Sequence, residues 1–189
     1  MSRGYSIRRH CVCLWCLVNM LLMGICRGYA QSDMAAIDTL HGVAVYDLRT
    51  QYRTYQVDLY RQADTLCLQW SLTREGETHC GRYLMSLQSL QHATELCYVA
   101  PQHGQTVVTP PHQLFACISA DALMQLRTLR RCRYNNTQLT VLDADDTMIH
   151  VKDFDEGYEM WIRNDLTLPL IVRMLHNPVE IDWQIELKR

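Results

Sequence analysis

The sequence of 189 residues contains little proline, little glycine and almost no lysine. Five prolines and eight glycines exclude a collagen-like or low-complexity chain. A disordered chain is excluded as well, because 48% of the residues are apolar and the formal charge is only −2. The pI near 6.4 is far below that of basic nucleic-acid-binding domains. We therefore expect a globular protein that does not bind nucleic acid.

Motifs that bind cofactors or metals are also missing. There is no glycine-rich phosphate loop, no Gly-x-Ser-x-Gly elbow and no His-Glu-x-x-His helix, and no Cys-x-x-Cys pair occurs after residue 30. His79 and Cys80 resemble a base beside a nucleophile, but adjacent residues of a strand face opposite sides. The acidic residues at 143–146 resemble a calcium loop without its glycine and glutamate. We predict no cofactor, no metal and no enzymatic activity.

The first 30 residues differ from the rest of the chain. They contain four arginines and no acidic residue, and a largely apolar stretch at residues 12–25 precedes small residues at positions 28 and 30. A basic start, a short apolar run and small residues before a cleavage site are typical of a secretory signal peptide. We predict cleavage between Ala30 and Gln31, which leaves residues 31–189 as a single exported domain.

The apolar stretch also bears on the membrane. It is shorter than the roughly 20 residues that span a bilayer, so we expect the cleaved protein not to span a membrane. The segment that ends at Cys26 resembles a lipobox, but Ile25 occupies the place of a small residue. We expect a periplasmic or outer-membrane-associated protein, with a lipid anchor at Cys26 as the less favoured alternative.

Cleavage would change the charge and the cysteine count. Residues 31–189 carry 14 basic and 20 acidic side chains, which gives a formal charge of −6. Five of the nine cysteines remain, and because five is odd, at least one thiol stays free or pairs between chains. The sequence leaves the pairing open among Cys67, Cys80, Cys97, Cys117 and Cys132.

Alternation of apolar and polar residues dominates the exported part. Apolar side chains occupy every second position in residues 55–59, 66–72 and 179–187, as in strands with one buried face. Closely spaced turn signals predict a meander of four strands between residues 138 and 187. Ser119 precedes leucines three residues apart, with arginines up to residue 131 in the last turn, and predicts an amphipathic helix. Ser86 predicts a second, shorter one. The fold is predicted to be mostly β (α+β) and antiparallel.

One stretch resembles a known family. The strand at residues 158–163, with Trp161 in its middle, turns into Leu168-Pro169-Leu170, and a paired strand follows to Leu187. This pattern resembles the C-terminal half of the LolA-like lipoprotein-carrier superfamily, and the chain also resembles small exported proteins of Bacteroidetes. The resemblance implies an antiparallel meander curled into an unclosed barrel or half-barrel, with one or two short covering helices. Its concave apolar face would bind a lipid, an acyl chain or a lipoprotein.

Alternation along the strands then predicts which side chains would line such a concave face. The alternative is that these side chains form a dry core, as such stripes usually do. The protein would then be an interaction or structural module of the periplasm without a small-molecule ligand, and its partner would be an envelope protein. The candidate ligand-binding residues are Leu68, Trp70, Met160, Ile162 and Trp183 from strands, with Leu123 and Leu126 from the covering helix.

Overall fold

A computed structural model of the chain describes residues 39–49, 51–100 and 102–188. The predicted signal peptide, its cleavage site at Ala30 and Gln31, and Cys26 lie outside these residues. Within the described ranges, no helix has the length and the apolar character needed to cross a membrane.

Strands make up most of the described part of the chain. The two helices there are short: α1 spans Leu87–His92 and α2 spans Ala120–Leu129. The strands are β1 (Leu40–Asp47), β2 (Tyr52–Gln62), β3 (Thr65–Arg74), β4 (Glu77–Ser86), β5 (Glu95–Leu96), β6 (Thr106–Val108), β7 (Gln113–Leu114), β8 (Arg131–Tyr134), β9 (Thr137–Ala144), β10 (Met148–Asp153), β11 (Glu159–Arg163), β12 (Ile171–Leu175) and β13 (Asp182–Leu187).

Eleven of these strands form one large curled sheet that does not close into a barrel. Their order is β6-β4-β3-β2-β1-β13-β12-β11-β10-β9-β8, so β6 and β8 are the two edges. All neighbours are antiparallel except β4 and β6, which run parallel. The strands β5 and β7 form a separate two-stranded sheet. The predicted fold, a mostly antiparallel unclosed sheet with two short helices, is confirmed.

Period-two alternation orients the side chains of the sheet. In β2 the buried residues are Tyr55, Val57 and Leu59, and the residues between them are more exposed. The register places Val57 opposite Trp70 on β3, so the apolar rows of neighbouring strands join into one continuous face. Burial of such a row, at about 25 cal/mol per Å² of apolar surface, is the main force that holds the sheet to its cover.

The structure corrects the number of strands and one strand boundary predicted for the C-terminal meander. Residues 137–187 contain five strands and not four, because residues 164–170 turn the chain between β11 and β12. The last strand begins at Asp182 and not at Val179. Glu180 adopts a positive φ of 60° and its N–H donates to the carbonyl of Asn177, so a turn occupies the predicted start of this strand.

Both predicted helices are present, and each begins at its predicted cap. The Ser119 hydroxyl accepts a hydrogen bond from the Ala122 N–H at 3.3 Å, and Ser86 does the same for Ser89 at 3.0 Å. Helix α2 ends at Arg130, whose φ of 58° is left-handed. Arg131, predicted in the last helical turn, is therefore the first residue of β8, because the left-handed residue redirects the chain.

The interior consists of two clusters of buried side chains, here called the first core and the second core. The first core lies against β1–β4 and α1 and includes Tyr55, Trp70 and Tyr83. The second core lies between α2 and strands β8–β12 and includes Leu126, Ile149, Met160 and other aliphatic residues, together with Tyr134 and Tyr158. Trp183, partly buried on β13, packs against both cores.

Candidate functional site

The seven predicted lining residues are divided between the two cores. Six are buried, and Trp183 is half-buried where the cores meet. The structure therefore brings them together only within each core and through Trp183. Leu68 and Trp70 belong to the first core, and Leu123, Leu126, Met160 and Ile162 belong to the second.

A cavity of about 130 Å³, here called the apolar cavity, lies where the two cores meet. Trp183 is the one predicted residue that lines it, together with Tyr46, Tyr55, Phe115 and others. Cavities of this size hold a benzene-sized apolar group. Leu68 and Trp70 line a second void of about 10 Å³, which is at the lower limit for one water molecule.

The apolar cavity reaches the protein surface. Val99 and Val179 both line it, and they are 45% and 44% exposed. Its cover is the segment after β5, which is attached by the Cys97 N–H to the Leu114 carbonyl at 2.8 Å and by the Tyr83 hydroxyl to the Val99 carbonyl at 2.8 Å. Between Cys97 and Val99, the Tyr98 hydroxyl accepts a hydrogen bond from Asn135 Nδ2 at 3.0 Å.

Aromatic rings form the wall of the apolar cavity. The Tyr46 ring lies 5.1 Å from that of Tyr55 and 6.4 Å from that of Trp183, and Tyr55 meets Trp70 edge-on at 5.7 Å. Burial raises the pKa of the Tyr46 hydroxyl, with a further contribution from Tyr55, so this hydroxyl stays protonated. Alternation in the sequence already places Tyr55 on this face, but it does not single out Tyr46 or Phe115.

A larger cleft of about 530 Å³, here called the polar cleft, opens beside the same rings. Arg53 and Tyr55 line both the polar cleft and the apolar cavity, so the two spaces adjoin. Arg74, His79 and His103 also line the cleft. His103 comes from the loop before β6, a position that no sequence pattern marks.

His79 and Cys80 have separate environments. His79 lines the polar cleft, and its ring lies 5.0 Å from the His103 ring at an angle of 81°. Cys80 lies opposite Ser71 in the ladder, on the other face of the sheet, and its N–H donates to His103 Nδ1 at 3.2 Å. All five cysteines of the described residues are free thiols, and Cys80 is the exposed one.

The acidic run at residues 143–146 forms the hairpin between β9 and β10. The Asp145 carboxylate accepts hydrogen bonds from the Thr147 hydroxyl and N–H and from the Met148 N–H at 2.6–2.8 Å. These bonds lower the pKa of Asp145, the Thr147 hydroxyl contributing most. Across residues 39–49, 51–100 and 102–188, no group of three or more His, Cys, Asp or Glu side chains is placed to hold a metal ion.

Comparison with known proteins adds no relative. No protein-family model, no curated protein and no solved structure matches the chain. The resemblance to the LolA-like superfamily therefore stays a prediction, and the features that bear on function are the apolar cavity and the polar cleft.

Proposed function

We propose that this protein is an exported binding protein of the bacterial envelope, periplasmic or outer-membrane-associated. Its ligand would be a lipid, an acyl chain or the lipid part of a lipoprotein, held in the apolar cavity. The observation that carries the proposal is this cavity itself, which is walled by aromatic rings and reaches the surface between Val99 and Val179.

The size of the cavity limits what it can hold without a change of shape. A space of about 130 Å³ takes a benzene-sized group, and each methylene buried there is worth about 0.8 kcal/mol. A longer chain would have to displace the cover, which includes Cys97 and Val99. Because the cover is irregular chain, held by the hydrogen bonds of Cys97, Tyr98 and Val99 described above, we expect it to move outward when a chain inserts.

Binding of a neutral apolar fluorophore, N-phenyl-1-naphthylamine, tests this proposal. We expect the wild-type protein to bind it and Val99→Trp to weaken binding about tenfold, because an indole at the rim takes the place of about two methylenes of ligand. Val108→Trp is the matched control, since Val108 is 71% exposed on the edge strand β6 and does not line the cavity. Equal binding by both variants, or none by the wild type, would contradict the proposal.

A second function is favoured by the packing of the interior. Because six of the seven predicted lining residues are buried among other side chains, the alternative of an interaction or structural module without a small ligand has its own support. Native mass spectrometry after gentle purification separates the two functions. A co-purified lipid mass supports the binding protein, whereas a stoichiometric protein partner with no lipid supports the module.

A further inference from the structure

The polar cleft differs in charge from the rest of the exported part. Its lining contains the cationic side chains of Arg53 and Arg74 and the imidazoles of His79 and His103, and none of its eleven lining residues is acidic. Residues 31–189 as a whole carry 14 basic and 20 acidic side chains. A cleft lined only by basic and neutral groups in an acidic protein attracts anions locally.

The basic groups of the cleft are available to a ligand. Arg53 is half-buried and forms no ion pair with any residue in the described ranges. Arg74 pairs with Glu75 at 3.3 Å, but the two side chains are 64% and 81% exposed, so water competes with this pair. An anion in the cleft would therefore displace little that holds the fold together.

His103 is oriented by the backbone. Its Nδ1 accepts the Cys80 N–H at 3.2 Å, so a neutral ring must carry its proton on Nε2. The Nε2–H is then a donor that the backbone does not use, and His79 lies against the same ring. The cleft thus combines two guanidinium groups with a positioned imidazole donor.

The cleft and the apolar cavity meet at one residue pair. Arg53 and Tyr55 line both spaces, and the register places Arg53 directly opposite Tyr46, whose ring forms the cavity wall. A ligand with a chain in the cavity would therefore bring its polar end next to the Arg53 guanidinium. One guanidinium group can donate two parallel, charge-assisted hydrogen bonds to the oxygens of one phosphate group.

We propose that Arg53, Arg74, His79 and His103 form a subsite for the phosphate-type anionic headgroup of an amphiphile whose chain lies in the apolar cavity. This inference rests on the proposed binding function and names the class of ligand. Free inorganic phosphate would bind to the same side chains as a phosphate headgroup, so the test must separate these two ligands.

The test compares three probes at pH 7 and fixed ionic strength: dodecyl phosphate, dodecyl maltoside below its micellar concentration, and inorganic phosphate. We expect wild-type protein to bind dodecyl phosphate about tenfold more tightly than dodecyl maltoside. The double variant Arg53→Gln/Arg74→Gln should lose this preference, and Arg74→Gln alone, at a residue that lines only the polar cleft, should reduce it while the variant still binds N-phenyl-1-naphthylamine. Arg131→Gln/Arg133→Gln is the matched control, because it removes two exposed positive charges from the opposite edge strand β8.

The outcomes separate the two proposals. Equal affinity for both dodecyl probes with normal fluorophore binding would overturn the headgroup subsite alone. Equal loss of preference in the control variant would overturn it too, since net charge would then be the cause. If inorganic phosphate bound as tightly as dodecyl phosphate, the proposal of a headgroup subsite would be overturned, and the cleft would be a site for free phosphate. Absence of binding by every apolar probe would overturn the headgroup subsite and the proposed function together.

Discussion

The first and second cores are built on the same curled sheet, but they fill space differently. In the first core, flat rings such as Tyr55, Trp70 and Tyr83 meet edge-on or in stacks, and the 10 Å³ void and the polar cleft are lined from this side. In the second core, branched and flexible side chains such as Ile149, Leu126 and Met160 are fully buried. A flexible side chain such as methionine fills irregular gaps in a core, whereas aromatic rings meet in a few preferred geometries.

The covers of the two cores differ as well. The second core lies under the ten-residue helix α2, which inserts Leu123 and Leu126. The first core lies under the six-residue helix α1 and irregular chain near Phe115. A regular helix presents an apolar residue at every turn, whereas irregular chain does not, so the space near Phe115 is incompletely filled. We therefore expect the second core to contribute more to stability, whereas the apolar cavity lies where the less regularly covered first core meets it.

The largest effect is expected from a cavity made in the second core. Leu126 is completely buried, and Leu126→Ala should lower the free energy of unfolding by about 3 kcal/mol, because its neighbours cannot collapse around the space. Urea unfolding followed by circular dichroism measures the change. Leu129→Ala, in the same helix but 63% exposed, is the control and should cost less than about 0.5 kcal/mol. Similar losses at both sites would show that the second core is not the tightly packed one.

A smaller loss is expected when the first core is overfilled. A Cβ atom added at Gly81 would lie 2.7 Å from Trp70 Cζ2 and 2.9 Å from the Gln105 carbonyl oxygen. Gly81→Ala should therefore displace the indole and cost about 1–3 kcal/mol.

Near-UV circular dichroism reports on the packing of the aromatic rings, Trp70 among them, and urea unfolding gives the stability of the Gly81→Ala variant. Cys80→Ala, at the adjacent exposed position, is the control and should leave both measurements close to those of the wild type. An unchanged near-UV spectrum in Gly81→Ala would mean that the ring is not held against Gly81, and that the first core has more free space than we infer.

Local signals in the sequence predict much of the fold. Alternation at residues 55–59 and 66–72 correctly orients β2 and β3, and the caps at Ser86 and Ser119 correctly begin both helices. These are local signals, repeated every two residues or placed at one helix end. The strands β5, β6 and β7 are two or three residues long and carry no period, so no pattern marks them.

The cavity and the cleft are harder to predict because they are assembled from distant parts of the chain. Tyr46, Phe115 and Trp183 meet only after the sheet has curled and the segment around residue 115 has crossed it. A stripe of apolar residues looks the same whether its partners fill the space or leave a gap. His103 reaches the cleft from an exposed loop, and its role there depends on the approach of Cys80 N–H, which no spacing encodes.

The smallest effect on stability is expected on strands β10 and β11, on the face of the sheet that points away from the second core. Polar side chains contact one another on this face. Lys152 Nζ donates a hydrogen bond to one carboxylate oxygen of Glu159 at 3.0 Å, and His150 Nε2 lies 2.9 Å from the other oxygen. Both hydrogen bonds lower the pKa of Glu159, and the one from Lys152 contributes most. Because a lowered pKa favours the ionised form in the native state, the stabilisation is complete above the unfolded-state pKa of about 4.3 and disappears as the pH falls through the native value.

Glu159→Gln should therefore cost less than about 1 kcal/mol at pH 7, since partial exposure weakens such pairs. The difference from wild type should persist at pH 5 and decrease as the pH falls through the lowered native pKa of Glu159, as measured by urea midpoints at each pH. Glu186→Gln, on an exposed position of β13, is the control and should change the urea midpoint at pH 7 less than Glu159→Gln does. A loss of unfolding free energy at pH 7 as large as that of Leu126→Ala would mean that polar contacts on the outer face stabilise this part of the sheet as much as aliphatic packing does.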